Sequence, residues 1–282
     1  VTAGENAILV TGASTGIGAA TVRAFARKGW TAYAGVRNDA DAALATSWDP
    51  HVRAVRLDVT EPASIATAAS RVSQDGVALR GVVCNAGIAV GGPLEFVPVD
   101  ALRHVFEVNV FGAVAVGQAF LPALRSTQGR LILMGSIGGR LAMPLLGPYA
   151  ASKFALRAIA DAWRQELRAA SVRVSLIEPG SVKTPIWEKG RASRAALLEL
   201  VGSEGIRYYG DELARLFAMT EREERTGMPV ERVVEAVEHA MTSRRPRASY
   251  LVGAPARAGS IVAMLPARLR DAALGRAAQR PK

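Results

Sequence analysis

Seven short runs of apolar and β-branched residues, at 7–11, 32–36, 52–57, 81–84, 130–134, 172–177 and 249–252, punctuate the chain. Between them lie longer, alanine-rich stretches at 16–28, 62–74, 99–124, 149–170 and 230–242, where apolar positions recur every three to four residues. A strand buried on both faces reads as a near-continuous apolar run, and a helix lying on a sheet carries a stripe at helical spacing. Their alternation predicts an α/β fold, a single doubly wound domain with a seven-stranded parallel sheet and helices on both faces. Two segments break the rhythm. Residues 185–228 are charged and weakly patterned and sit where a substrate lid is expected, and 254–282 form a basic C-terminal extension. Nothing in 1–253 looks like a repeat or a linker, so one dinucleotide-binding and catalytic domain is expected there.

Composition adds boundaries to this picture. With 282 residues, half of them apolar, the chain can bury a full core in one domain. The single cysteine, Cys84, leaves no partner for an internal disulfide, and residues 1–30 hold a strand and a loop rather than a cleavable leader. A reducing cytoplasm is expected. Glycines, prolines and arginines interrupt the hydrophobic runs, so no membrane-spanning stretch is expected. The formal charge of +10 is concentrated in the tail: from Arg244 onward nine basic residues face one acidic residue, Asp271. That charge comes without a recognition element or interleaved aromatics, so nucleic acid is not an expected partner. The tail residues Ile261, Val262, Leu265 and Leu269 share a face suited first to capping a substrate cleft, next to packing on a second subunit, and last to a membrane surface.

The first strand leads into Thr11-Gly12-Ala13-Ser14-Thr15-Gly16-Ile17-Gly18 and then a helical pattern. Glycines there let backbone close on a pyrophosphate, while the free N–H groups and positive dipole end of the helix hold the anion. The spacing Gly-x-x-x-Gly-x-Gly resembles the cofactor loop of the short-chain dehydrogenase/reductase family. The resemblance covers residues 5–253 and implies a Rossmann-type fold, a nicotinamide cofactor and a nucleotide site that includes Gly12, Ser14, Thr15, Gly16, Ile17 and Gly18. In that family an acidic residue ending the second strand takes the ribose hydroxyls of NAD, and a basic residue just beyond it favours the 2′-phosphate of NADP. This chain reads Val36-Arg37-Asn38, which points to NADP(H), with NAD(H) as the alternative. The less favoured alternatives are that Arg37 stacks on adenine or faces solvent. Asp58 and Val59 match the adenine site, although Asp58 could instead cap a helix beginning near Pro62. Asn85, Ala86 and Gly87 match the family's Asn-Ala-Gly element.

Tyr149 and Lys153 stand at i and i+4 in Tyr-Ala-Ala-Ser-Lys, on one helix face. Ser136 ends the fifth strand and Asn109 lies in Glu-Val-Asn-Val; together the four match the family's catalytic set. Each alone is ordinary: a core tyrosine, a solvated lysine, a strand-ending serine, a satisfied amide. Carbonyl reduction puts negative charge on oxygen as hydride arrives, so a proton donor must stand within hydrogen-bond reach. The resemblance implies that Tyr149 is this acid/base, that Lys153 lowers its pKa and holds the nicotinamide ribose, that Ser136 orients the substrate oxygen, and that Asn109 holds a water leading to solvent. It also implies that Pro179 and Gly180 turn the chain beneath the nicotinamide, whose carboxamide Val182 and Thr184 bind. His51, His104 and His239 have no metal-ligand spacing, so no metal is expected.

The pattern is closest to the hydroxysteroid and retinol dehydrogenase branch, and the lid is rich in apolar residues from Ile186 and Trp187 to Leu216, Phe217 and Met219. A hydrophobic ketone, aldehyde or secondary alcohol is the expected substrate. Alternatives are an NAD-dependent alcohol dehydrogenase of the same family and a non-catalytic, cofactor-binding scaffold or sensor. By analogy with the family, a homodimer or homotetramer joined through the two long helices is expected.

Overall fold

Every strand runs parallel to its neighbours in a sheet of order β3-β2-β1-β4-β5-β6-β7, formed by β1 (Asn6–Thr11), β2 (Thr31–Val36), β3 (Val52–Arg56), β4 (Ala78–Cys84), β5 (Arg130–Met134), β6 (Arg173–Pro179) and β7 (Ser249–Val252). This is a computed structural model; it describes residues 6–184 and 186–279, with side chains described outside 185–193, 196 and 276–279. Residues 1–5, Pro185 and 280–282, and the side chains of Ile186 and Trp187, lie outside the described set. Successive strand residues point to opposite faces, so the apolar runs feed two cores. On one face Leu9, Val82, Leu131, Leu133 and Leu176 meet Val116, Phe120 and Trp163. On the other, Ile8, Val10, Ile132 and Ile177 meet Val22, Phe25, Val233 and Val237.

The helices are α1 (Gly16–Ala26), α2 (Asp39–Thr46), α3 (Pro62–Gln74), α4 (Val99–Phe106), α5 (Gly112–Thr127), α6 (Gly147–Glu166), α7 (Ile186–Thr226), α8 (Glu231–Thr242), α9 (Ala254–Ala263) and α10 (Ala267–Gln279). A π-helical turn, Glu107–Phe111, joins α4 to α5 without a break. The resulting helix, Val99–Thr127, is long and apolar enough by composition to cross a membrane, which corrects the expectation that no such stretch exists. Neither Gly112, buried next to the π turn, nor Pro122, exposed on the outer face, interrupts it. Half of its most apolar window is buried inside the protein, with Val116, Phe120 and Leu124 on the sheet, so it serves as a core helix here.

Other boundaries shift in physically simple ways. The short helix α2 was not anticipated; it buries only Ala45 and starts on Asn38, whose side chain accepts from the Asp41 N–H at 2.8 Å. Helix α7 spans the weakly patterned lid and kinks at Gly202, whose φ of 59° and ψ of −170° suit glycine alone. In the tail, Pro266 precedes α10, as its fixed φ and missing N–H favour. The preceding helix, α9, packs on the body: Ala256 is fully buried, and a Cβ at Gly180 would stand 3.1 Å from the Ala256 nitrogen.

Candidate active site

The chain reverses its direction of sheet growth between β3 and β4, so the carboxyl ends of the adjacent strands β1 and β4 open a crevice where ligands bind in such sheets. Thr11, at the end of β1, holds its rim. Its buried Oγ1 accepts from the backbone N–H groups of Asn85 and Ala86, both at 3.0 Å, while Asn85 Nδ2 donates to the carbonyls of Thr11 (3.0 Å) and Gly12 (3.1 Å). The loops after β1 and β4 are therefore one unit. Sequence reasoning assigned Thr11 no role; a polar residue closing a fully apolar strand was the available signal.

Gly12 has φ of 62°, and a Cβ there would stand 2.8 Å from the Ala86 Cα; a Cβ at Gly18 would collide with the Gly12 carbonyl. Thr15 caps α1 without a side-chain hydrogen bond, so the first-turn N–H groups of Gly16, Ile17 and Gly18 face the crevice without an internal acceptor. Ser14 is half-buried beside them. Arg37 projects from the end of β2, exposed, and makes no hydrogen bond or ion pair among the described residues. Its charge reaches Asp58: burial pushes that carboxyl up, but hydrogen bonds from the Thr60 hydroxyl and N–H (2.7 and 2.9 Å) and the charges of Arg37 and His104 bring it below its usual value. Asp58 does not cap α3, whose N-cap is Glu61. Its bonds close a tight Asx turn through Oδ1 instead. Val59 is buried against Gly112, where an added Cβ would stand 2.7 Å from Val59 Cγ2.

The catalytic candidates converge on the next strands. Ser136 follows β5 and opens a 3-10 turn, Ile137–Gly139, by accepting from the Gly138 N–H at 3.1 Å. The turn lies so close to α6 that a Cβ at Gly138 would stand 3.3 Å from the Tyr149 ring and one at Gly139 2.7 Å from the Lys153 carbonyl. Lys153 Nζ is buried, donates to the Met134 carbonyl at 2.8 Å, and lies 5.7 Å from the Tyr149 ring centroid. Asn109, seated by the π turn and 1% exposed, makes three hydrogen bonds: its Oδ1 accepts from Ile88 N–H (2.8 Å), and its Nδ2 donates to the Ile88 carbonyl and to Ser152 Oγ (both 2.9 Å). Its side chain thus braces the Asn85–Gly87 loop against α6, with Ser152, another residue not singled out from sequence, as the link. A Cβ at Gly87 would stand 3.6 Å from Lys153 Nζ, so this loop passes directly over the ammonium.

In the chain without a bound dinucleotide, the Tyr149 pKa is raised rather than lowered. Burial raises it, and a hydrogen bond from Ser136 only partly offsets this. Lys153 is turned toward Met134, and burial lowers its own pKa from 10.5 to about 8. The chain by itself therefore presents a protonated phenol. Pro179 ends β6, Gly180 donates to the Val252 carbonyl at 3.0 Å, and Val182 forms a bridge with Met228, which places Thr184 at the mouth of the lid.

A dinucleotide crevice at the switch point, joined to a serine, tyrosine and lysine on adjoining elements, defines an oxidoreductase with a nucleotide cofactor. The chain belongs to the short chain dehydrogenase family, whose model matches residues 6–195, and it falls in the hydroxysteroid/retinol-like branch. It is 35% identical to the NADPH-dependent 3-dehydrocapnine reductase of Ornithobacterium rhinotracheale over 86% of this chain and 87% of that one. It is 32% identical to estradiol 17-beta-dehydrogenase 2 of Mus musculus over 88% of this chain and 68% of that one. A short chain dehydrogenase from Burkholderia cenocepacia J2315, solved in complex with NADP, superposes with a TM-score of 0.72 at 27% identity over the full length of both chains.

Proposed function

We propose that the protein uses NADPH to reduce a hydrophobic ketone or aldehyde, and that the same site runs the reverse oxidation of the secondary or primary alcohol. The observation that carries this reading is the meeting of Ser136, a protonated Tyr149 and Lys153 beside a crevice whose rim carries the unpaired Arg37. The crevice fits the cofactor: glycines stand where a Cβ would close it, helix N–H groups are free for the pyrophosphate, and Arg37 is free for a 2′-phosphate. When bound, the dinucleotide supplies the hydride. Tyr149 then delivers its hydroxyl proton to the substrate oxygen as negative charge develops there, and Ser136 donates a second hydrogen bond that fixes the oxygen's position. Lys153, on the same helix face, would hold the ribose hydroxyls of the bound cofactor, and its ammonium would then favour the phenolate form of Tyr149.

Apolar walls support a hydrophobic substrate. Leu94 packs on Gly147 at the start of α6, and Leu146 and Leu216 pack on Gly91, while Leu197 of the lid packs on Gly92. The lid is anchored by an edge-on pair between Phe96 and Tyr209, 6.2 Å apart. Self-association through the two long helices belongs to the same reading, since Phe111 and Phe154 stand exposed on them.

Titration with NADPH and NADH, followed by turnover on a panel of apolar ketones and aldehydes, tests the proposal. NADPH should bind more tightly than NADH, Arg37→Ala should lose that preference by roughly 10- to 100-fold, and Tyr149→Phe should bind NADPH normally while turnover falls on the order of 1,000-fold. Equal affinity for both cofactors in the wild type, or full turnover in Tyr149→Phe, would overturn it.

A further inference from the structure

Beneath the catalytic turn lies a buried charge cluster that the reaction described above does not use. Glu178, near the end of β6, is fully buried. Arg140 grips it with two parallel bonds, Nε to Oε1 at 2.8 Å and Nη2 to Oε2 at 2.5 Å. Arg157 Nη1 donates to Oε1 at 2.9 Å, and the Ser249 hydroxyl of β7 donates to Oε2. Arg140 also reaches Ser249 (3.0 Å) and Ser260 of α9 (3.4 Å). Every arm of the cluster belongs to a segment that carries the site. Arg140 ends the turn that Ser136 opens; Arg157 follows Lys153 by one helical turn; and Glu178 lies between Ile177, whose carbonyl accepts the Gly135 N–H at 2.7 Å, and Pro179-Gly180.

A carboxylate withdrawn from water and held by two partly exposed guanidinium groups returns little net stability compared with apolar packing of the same volume; forked charged bonds give fixed geometry instead. Gly138 and Gly139 let the turn pack closely on α6 but supply no side chain of their own, so the grip on Arg140 fixes the end of the turn from the side of β6 and β7. We propose that Glu178, acting through Arg140 and Arg157, is the positioning residue that sets Ser136 against Tyr149 and Lys153, and that α9, through Ser260, completes the clamp. The inference rests on the oxidoreductase reading and deepens it.

The test compares wild type, Glu178→Gln and Arg140→Lys by NADPH titration, kcat and KM on an apolar ketone, and the primary isotope effect with NADPH deuterated at the transferred position. Misplacing a reacting group by about an ångström costs on the order of 100-fold. Glu178→Gln should therefore lose roughly 10- to 100-fold in kcat, with KM and NADPH affinity changed by less than about threefold and the isotope effect increased. Arg140→Lys keeps the charge but loses the fork, so it should show the same pattern to a lesser degree, and it carries the test if Glu178→Gln does not fold. A variant with wild-type kcat and isotope effect, or one whose kcat falls only in step with its folded fraction, would overturn the positioning role alone. A wild type that turns over no ketone or aldehyde would overturn the oxidoreductase reading and this inference with it.

Discussion

Replacing Lys153 should stabilise the protein while ending its chemistry. The side chain is 5% exposed, and burial lowers its pKa from 10.5 to about 8, with the Met134 carbonyl at 2.8 Å as its hydrogen-bond acceptor. At pH 7 the lysine is charged in both the folded and the unfolded chain, but the folded chain holds the proton less tightly. A displacement of that size opposes folding by roughly 3 kcal/mol. Between pH 8 and 10.5 the unfolded chain binds more protons than the folded one, so stability rises with pH, and about 2 kcal/mol of the penalty is gone by pH 9.5. Lys153→Met keeps the aliphatic volume and removes the penalty, but it leaves the Met134 carbonyl without its donor, a loss of about 1 kcal/mol. The variant should thus be more stable than wild type by about 2 kcal/mol at pH 7, a rise of roughly 3–8 °C in Tm, with the gap closing near pH 10. Urea denaturation followed by tryptophan fluorescence from pH 6.5 to 10 measures this. A variant less stable than wild type at pH 7, or a gap that does not narrow as pH rises, would refute the electrostatic account.

Two further outcomes follow from the geometry of the crevice. Gly12→Val puts a β-branched side chain at a φ of 62° with its Cβ 2.8 Å from Ala86 Cα, so the loop must open; fluorescence titration should show NADPH binding lost, with folding destabilised by about 1–3 kcal/mol, and normal NADPH affinity would refute the cradle. Cys84 is buried and its thiol is pushed up to about 12 by burial, so iodoacetamide at pH 8 should label only the denatured protein, as mass spectrometry would show; rapid labelling of the native protein would contradict the buried packing role.

The sheet was legible because its inner strands are buried on both faces and appear in the sequence as apolar runs, while the edge strands β3 and β7 keep a partly buried alternating pattern; α1, α3, the continuous α4–α5, α6 and α8 were legible because each buries apolar residues at helical spacing. Helix α2 was not, since it buries only Ala45 and leaves no stripe to see. The length of Val99–Thr127 was hidden by Gly112 and Pro122, residues that usually break helices but here stand within one continuous helix. The catalytic residues were legible from spacing on one helix and from the ends of two strands. Their protonation was not: the raised pKa of Tyr149 and the lowered one of Lys153 come from burial by segments far away in sequence, which spacing does not record. The same limit hid Thr11 and Ser152, whose roles lie in bonds to Asn85, Ala86 and Asn109 across the fold.

These omissions share a cause. Among the described residues the buried polar and charged side chains are Thr11, Thr21, Thr31, Asn109, Ser152, Lys153, Ser175 and Glu178, and five of these eight stand at the crevice or directly beneath the catalytic turn. A buried polar group opposes folding unless its partners are held in place, so a fold tolerates such groups where their fixed geometry serves something other than stability. The two apolar cores on either side of the sheet supply the stability that lets Lys153 stay buried without a carboxylate and Glu178 stay buried beneath the Ser136 turn. The site is thus concentrated where the sequence departs from its own apolar pattern, at the carboxyl ends of β1, β4, β5 and β6. At each of these ends a buried apolar run gives way to a threonine, an asparagine, a serine or a glutamate, with partners across the fold for Thr11, Asn85 and Glu178 and within its own turn for Ser136.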